Sequence, residues 1–140
     1  MRSAEPGTRR GRILLIDDDR VFGIWVGQVV QRRGGYDFRH TLDPHIGLQC
    51  VETESWDLVI TDMEMPGMTG LELAERVHLC EPGLPVAVMT AHVALPGIIP
   101  AQRSAAAEFL HKPMPADDFL DKVAALIARG QAMRQPKDEG

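Results

Sequence analysis

Six side chains in this sequence could act together on a phosphoryl group: Asp17, Asp18, Asp19, Asp62, Thr90 and Lys112. Each stands where a short apolar run stops. "RILLI" leads into the three aspartates, "DLVIT" into Asp62, "PVAVM" into Thr90 and "EFLH" into Lys112. Taken singly they have ordinary readings: Asp19 is a helix cap, Thr90 a strand-end hydroxyl, Lys112 a surface lysine. Gathered at one edge they make a different object. Clustered carboxylates repel one another and, left alone, take up protons. A hard divalent cation removes that conflict, and oxygen ligands with several waters suit Mg²⁺. A phosphoryl group on Asp62 would then meet Mg²⁺ at one oxygen, with the Thr90 hydroxyl and the Lys112 ammonium at the others. These are the requirements of phosphoryl transfer to a carboxylate.

The elements that must bring these groups together are legible as alternating periods. "RILLI" reads as a strand, followed by a helix with Phe22, Trp25, Val26, Val29 and Val30 on one face, ended by Gly34–Gly35. "YDFRHT" alternates as a half-buried strand. The next helix opens with Asp43 as N-cap and Pro44 at its first position. "DLVIT" is a fully apolar strand, "TGLELAERVHL" a helix capped by Thr69, and "PVAVMT" and "EFLH" two further strands. "ADDFLDKVAALIAR" is the last helix, with Gly130 as its stop. Strands that alternate with helices are parallel, because the helix carries the chain back to the starting end. Uninterrupted apolar strands are covered on both faces. The expected fold is therefore α/β, a doubly wound five-stranded parallel sheet with helices on both faces. In such sheets ligands collect at the carboxyl ends of the strands, where all six groups lie.

Composition bounds the rest. The 140 residues suit one domain; 44% are hydrophobic and 25% charged, and the formal net charge is −5. An acidic chain lacks the basic face that nucleic acid requires, so no direct nucleic-acid partner is expected. Arg9, Arg10 and Arg12 form one short basic cluster, read as a solvated arm. No apolar run approaches a membrane span and the first residues carry no signal-peptide core, so the expected location is cytoplasmic, with no membrane partner. Cys50 and Cys80 fall in helical segments and are read as small buried side chains rather than a disulfide. The expected organisation is a disordered arm over 1–11, a folded domain over 12–130 and a flexible tail over 131–140.

The segments "ILLIDDD", "DLVITDMEMPGMTGLEL", "LPVAVMTA" and "FLHKP", in that order, resemble the receiver domain of bacterial two-component response regulators. "DDD" alone is weak; the pattern D-x-x-M-P-x-M-x-G followed by strand-end Thr and Lys-Pro is specific. The resemblance runs from Arg12 to about Ala128 and implies a flavodoxin-like receiver fold. It implies that Asp62 is the phosphoacceptor. Asp18 would ligate Mg²⁺ directly, Asp17 through water, and the backbone carbonyl of Glu64 would complete the protein ligands beside Asp62. Thr90 and Phe109 would form the switch pair. Lys112 would contact the phosphoryl group, with a cis Lys112–Pro113 bond behind it. Glu64 and His92 would flank the path of attacking water.

This sequence also departs from the family. Between the fourth and fifth strands, Pro96, Gly97 and Pro100 predict a short or irregular fourth helix, with Val93, Leu95, Ile98 and Ile99 partly exposed. Ala105 stands about where many receivers carry a glycine. In the first helix Gly23 and Gly27 lie four apart. They read either as drift on an exposed face or as a flat stripe for a partner helix.

The function that follows is a switch rather than an enzyme. The domain takes a phosphoryl group from a phosphohistidine on a sensor histidine kinase or histidine phosphotransfer protein, and assists its own phosphorylation and dephosphorylation. A downstream protein target is implied, with a homodimer on phosphorylation as one possibility. Only ten residues follow Gly130, so the chain acts through protein contacts or was cut from a longer one. Two rival readings come from other classes. In a small haloacid-dehalogenase-type phosphohydrolase, Asp17 would be the nucleophile and Asp19 the acid/base. A pseudo-receiver would bind partners without phosphorylation.

Overall fold

Alternate residues of the first strand go to opposite sides of a sheet. Ile13 and Leu15 join one buried cluster with Phe22, Val26, Phe119 and Val123, while Leu14 and Ile16 join another with Val51, Leu73 and Val77. This is the covering on both faces expected of an uninterrupted apolar strand. In the computed structural model, which describes residues 10–91 and 107–134, five parallel strands carry this pattern: β1 (Arg12–Ile16), β2 (Asp37–Thr41), β3 (Leu58–Asp62), β4 (Val86–Thr90) and β5 (Glu108–His111). Their order in the sheet is β2-β1-β3-β4-β5. The chain reverses its direction of travel across the sheet between β1 and β3, so the ends of these two strands border a crevice.

The first cluster is covered by α1 (Arg20–Gly27) with its π-helical continuation Gln28–Arg33, and by the C-terminal helix (Ala116–Arg134). The second is covered by α2 (Pro44–Thr53) and α3 (Gly70–Cys80). Helix starts follow their caps. Asp43 accepts the His45 N–H with Pro44 in the first turn, and Thr69 and Glu72 form a reciprocal capping box. The predicted fourth-helix region, with His92, Pro96, Gly97, Pro100 and Ala105, lies outside the described residues.

Four expectations are corrected. Gly130 does not stop the last helix, which continues to Arg134. The glycine is there for contact: a Cβ on it would lie 2.5 Å from Pro85 Cδ. Arg134 then ties the helix end down, donating to the Trp56 carbonyl at 3.2 Å and to Asp57 at 3.3 Å. The folded domain thus reaches past 130 into the supposed tail. At the other end, Arg10 and Gly11 belong to the domain. The Gly11 carbonyl accepts the Asp37 N–H at 2.9 Å, and the Arg10 guanidinium sits over the Tyr36 ring. Gly23 and Gly27 form neither an exposed face nor an open stripe, since both are buried against His40 and Phe38 of β2. Finally, Cys80 is exposed at the end of α3 and Cys50 is half-buried; both thiols are free.

Candidate functional site

The three consecutive aspartates after β1 have three different environments. Asp17 extends the ladder by one bond, its N–H donating to the Thr41 carbonyl at 3.1 Å, and its side chain is buried at 1% exposure. One of its carboxylate oxygens accepts the Asp19 N–H at 2.9 Å. Asp19 in turn caps α1, accepting the Phe22 N–H at 3.1 Å. Between them Asp18 faces solvent. The turn that produces this split costs little, because short acidic side chains bond their own backbone two and three residues on.

Asp62 ends β3, and its setting explains the Pro-Gly-rich stretch behind it. Met65 and Met68 are buried and anchor the loop, with Gly67 at φ +85° in the turn between them. The loop closes where the Gly70 N–H donates to the Met63 carbonyl at 2.7 Å. Here glycine is required: a Cβ would lie 2.4 Å from the Asp62 carbonyl oxygen. This close approach starts α3 directly beside the strand end. Asp62 keeps 16% side-chain exposure, and one oxygen accepts the Glu64 N–H at 3.2 Å.

Lys112 is delivered from the far side of the sheet. Its N–H donates to the Thr90 carbonyl at 3.0 Å, and a cis peptide joins it to Pro113. Its Nζ lies 3.1 Å from Asp17 and 3.2 Å from Asp62, and 4.4 Å from the centre of the Phe22 ring. Such an ammonium gains from both carboxylates and from the ring face. Burial pushes the Asp17 carboxyl above the ordinary aspartate value, and the nearby Asp62 charge pushes it the same way, while the Asp19 N–H and Lys112 pull it down. Burial works against the Lys112 charge, but Asp17 and Asp62 outweigh it and raise its pKa.

One oxygen each from Asp17, Asp18 and Asp62 lies within 4.8 Å of the others. An all-oxygen, acidic donor set of this size suits a hard divalent cation and does not suit a soft one. The cluster does not suit a phosphohydrolase with Asp17 as nucleophile, since both Asp17 oxygens are engaged and the side chain is buried.

Residues 13–124 match the family model for the response regulator receiver domain. The chain belongs to the response regulator receiver family. It is 35% identical over 113 residues to the response regulator protein FleR of Pseudomonas aeruginosa, covering 81% of this chain and 24% of that one. It is 30% identical over 130 residues to the DNA-binding transcriptional regulator NtrC of Klebsiella pneumoniae, covering 93% of this chain and 28% of that one. The receiver thus spans about a quarter of the length of these curated relatives. Among solved structures, a CheY-like receiver domain protein from Methanospirillum hungatei JF-1 superimposes with a TM-score of 0.77 at 27% identity. That match covers 87% of this chain and 97% of the other. The receiver domain of an HD domain-containing protein from Pseudomonas fluorescens Pf-5 gives 0.80 at 26% identity, covering 91% and 93%. Both agree with the five-stranded parallel fold described above.

Of the receiver residues expected from sequence, Asp17, Asp18, Asp62 and Lys112 come together. Thr90 is buried at the end of β4, and Phe109 is half-buried in β5 opposite Val88, two register positions earlier. Glu64 is exposed with its N–H turned to Asp62. His92 lies outside the described residues. Two neighbours of the site were not anticipated. Phe22 reads in sequence as a core residue of the amphipathic face, and only its place one turn after the Asp19 cap hints at the acidic edge. His40 reads as one inward position of an alternating strand; its Nε2 lies 2.7 Å from the Asp17 carbonyl oxygen.

Proposed function

We propose that Asp62 accepts a phosphoryl group from the phosphohistidine of a sensor histidine kinase or histidine phosphotransfer protein, and that this modification switches a protein-interaction surface. The observation that carries the reading is the position of the Lys112 ammonium, shared at 3.1 and 3.2 Å between Asp17 and Asp62 beside the exposed Asp18. In the transfer an Asp62 oxygen bonds to phosphorus as the bond from phosphorus to the histidine nitrogen breaks. Asp62 attacks as a carboxylate, and Lys112, 3.2 Å away, is close enough to pair with a phosphoryl oxygen. Asp17, Asp18, Asp62 and the Glu64 backbone carbonyl would hold Mg²⁺. When bound, the ion offsets the charge of carboxylates and phosphoryl oxygens together. Asp17, buried and held by Asp19 and Lys112, orients the set without being free to react. The Thr90 hydroxyl and the half-buried Phe109 ring would register the change, by turning toward the modified site and inward respectively.

NtrC carries the words "DNA-binding" in its name. The acidic stretch present here is read as its regulatory counterpart, acting on protein partners rather than on nucleic acid. The test is labelling by acetyl phosphate with Mg²⁺. Wild type should be modified, Asp62→Asn should not, and omission of Mg²⁺ should prevent the reaction. Robust labelling of Asp62→Asn would overturn the assignment.

A further inference from the structure

The ladder between β1 and β2 leaves one buried acceptor behind. In a parallel pair, the carbonyl of Asp17 would take the N–H of the residue two beyond Thr41, whose own carbonyl accepts from Asp17. That residue is Asp43, and its N–H is turned to the Thr41 hydroxyl at 3.4 Å as the chain bends into the cap of α2. The Asp17 carbonyl meets the His40 imidazole instead, with Nε2 at 2.7 Å. A carbonyl oxygen only accepts, so Nε2 carries the proton. The ring reaches this place because α1 has no side chain above it: a Cβ on Gly23 would lie 2.2 Å from Cε1 and 2.3 Å from Nδ1. Gly23 and His40 are thus complementary parts of one fitting, a small residue on the helix and a ring on the strand.

We propose that His40 is a positioning residue for the acidic edge, fixing the Asp17 peptide so that Asp18 leaves the strand in the direction that presents its carboxylate beside Asp17 and Asp62. The proposal rests on the phosphoacceptor reading for its consequence and on the contact itself for its mechanism. The peptide that follows Asp17 is held at its oxygen by His40, while the Asp17 side chain holds the Asp19 N–H at 2.9 Å. Asp18 sits between these two restraints. Without the imidazole donor the buried carbonyl has no replacement from the ladder, and the peptide can rotate to find water. Asp18 then loses its fixed direction. His40 acts through Asp17, and its own ring nitrogen is already engaged.

Three variants of the full chain separate the donor from the ring. His40→Phe keeps an aromatic ring and removes the donor. His40→Gln keeps an amide donor near the position of Nε2. Gly23→Ala leaves His40 in the sequence but drives its ring off the carbonyl. Mg²⁺ affinity is measured by calorimetry, folding by thermal unfolding in EDTA, and the Asp18 amide by NMR in the metal-free protein. The expected result is a roughly three- to tenfold weaker Mg²⁺ affinity in His40→Phe and Gly23→Ala, the range of one lost hydrogen bond. His40→Gln should stay within about twofold of wild type. The Asp18 resonance should move in His40→Phe and Gly23→Ala and not in His40→Gln. Wild-type affinity in a folded His40→Phe, or equal losses in His40→Phe and His40→Gln, would overturn the proposal. If His40→Phe does not fold, Gly23→Ala decides, and unchanged affinity there overturns it. Failure of the wild type to bind Mg²⁺ would remove the phosphoacceptor reading. The Asp18 resonance would then decide the positioning role by itself, and an unmoved signal would end it.

Discussion

Replacing Asp18 by Asn should stabilise the metal-free protein and cost it the benefit of Mg²⁺. Oxygens of Asp17, Asp18 and Asp62 lie within 4.8 Å of one another. Lys112 pairs with Asp17 and Asp62, and among the described residues no ion pair joins it to Asp18. Removing the Asp18 charge therefore relieves repulsion without breaking an ion pair seen among the described residues. Two unit charges about 5 Å apart repel by roughly 0.8 kcal/mol in bulk water. Physiological salt cuts this by roughly half. Asp18 is exposed, so the water value applies, and two such neighbours give a relief of at most about 1 kcal/mol, reduced by the more distant Lys112 charge. For a domain of this size that is roughly 3–5 °C in Tm. Mg²⁺ should reverse the order. At a hundredfold excess over its dissociation constant a bound ion should stabilise wild type by about 2.7 kcal/mol, while the variant, short of one proposed ligand, should gain much less. The assay is thermal unfolding of both proteins in EDTA and across a Mg²⁺ titration, looking for the crossing of the two curves. A variant less stable than wild type in EDTA would refute the repulsion argument. Equal Mg²⁺ gains in both proteins would refute the ligand assignment.

Three further outcomes follow from the same contacts. Arg39 and then Arg12 hold the Glu54 carboxyl down to about 2 from 4.5, so its contribution to stability is complete above pH 4.5 and is lost as pH falls toward about 2. Glu54→Gln should flatten the acid limb of the stability curve in that window, and an unchanged limb would contradict this. Gly130→Ala gains about 1 kcal/mol of helix propensity but forces a Cβ to 2.5 Å from Pro85, an overpacking cost of about 1–3 kcal/mol. Urea unfolding should show a net loss near 1 kcal/mol, and a gain would mean that the helix end is not packed there. Glu64, exposed and bonded through its N–H to Asp62, should tune the reaction without supporting the fold. Glu64→Lys should change phosphorylation or dephosphorylation rates by severalfold at unchanged Tm, and unaltered rates would count against it.

The acidic edge was legible in sequence because one rule, that ligand groups gather at the carboxyl ends of parallel strands, applies to any residue that follows an apolar run. Asp17, Asp18, Asp62 and Lys112 need no more than that. The caps at Asp19, Asp43 and Thr69 were legible for a similar reason, since each is decided within four residues. What could not be read depends on elements far apart in the chain. Gly130 looks like a stop signal until Pro85 is found against it, because a helix glycine that ends a turn and one that admits a neighbour are the same letter. Gly23 and Gly27 looked exposed because the helix period gives a face but not which face β2 covers. His40 became part of the site only through its register opposite Leu15 and through the missing Cβ of Gly23. Cys80 was misplaced by type: cysteine is usually buried, but this one falls on the solvent side of the last turn of α3.

The central claim is that one carboxylate among several takes the phosphoryl group. Mass mapping of the full chain after incubation with acetyl phosphate and Mg²⁺, with the acyl phosphate trapped by borohydride reduction, reads this directly. The modification is predicted on the peptide containing Asp62 and on no other aspartate. Modification at Asp17, with Asp62 unmodified, would contradict the account and favour hydrolase chemistry at the first strand.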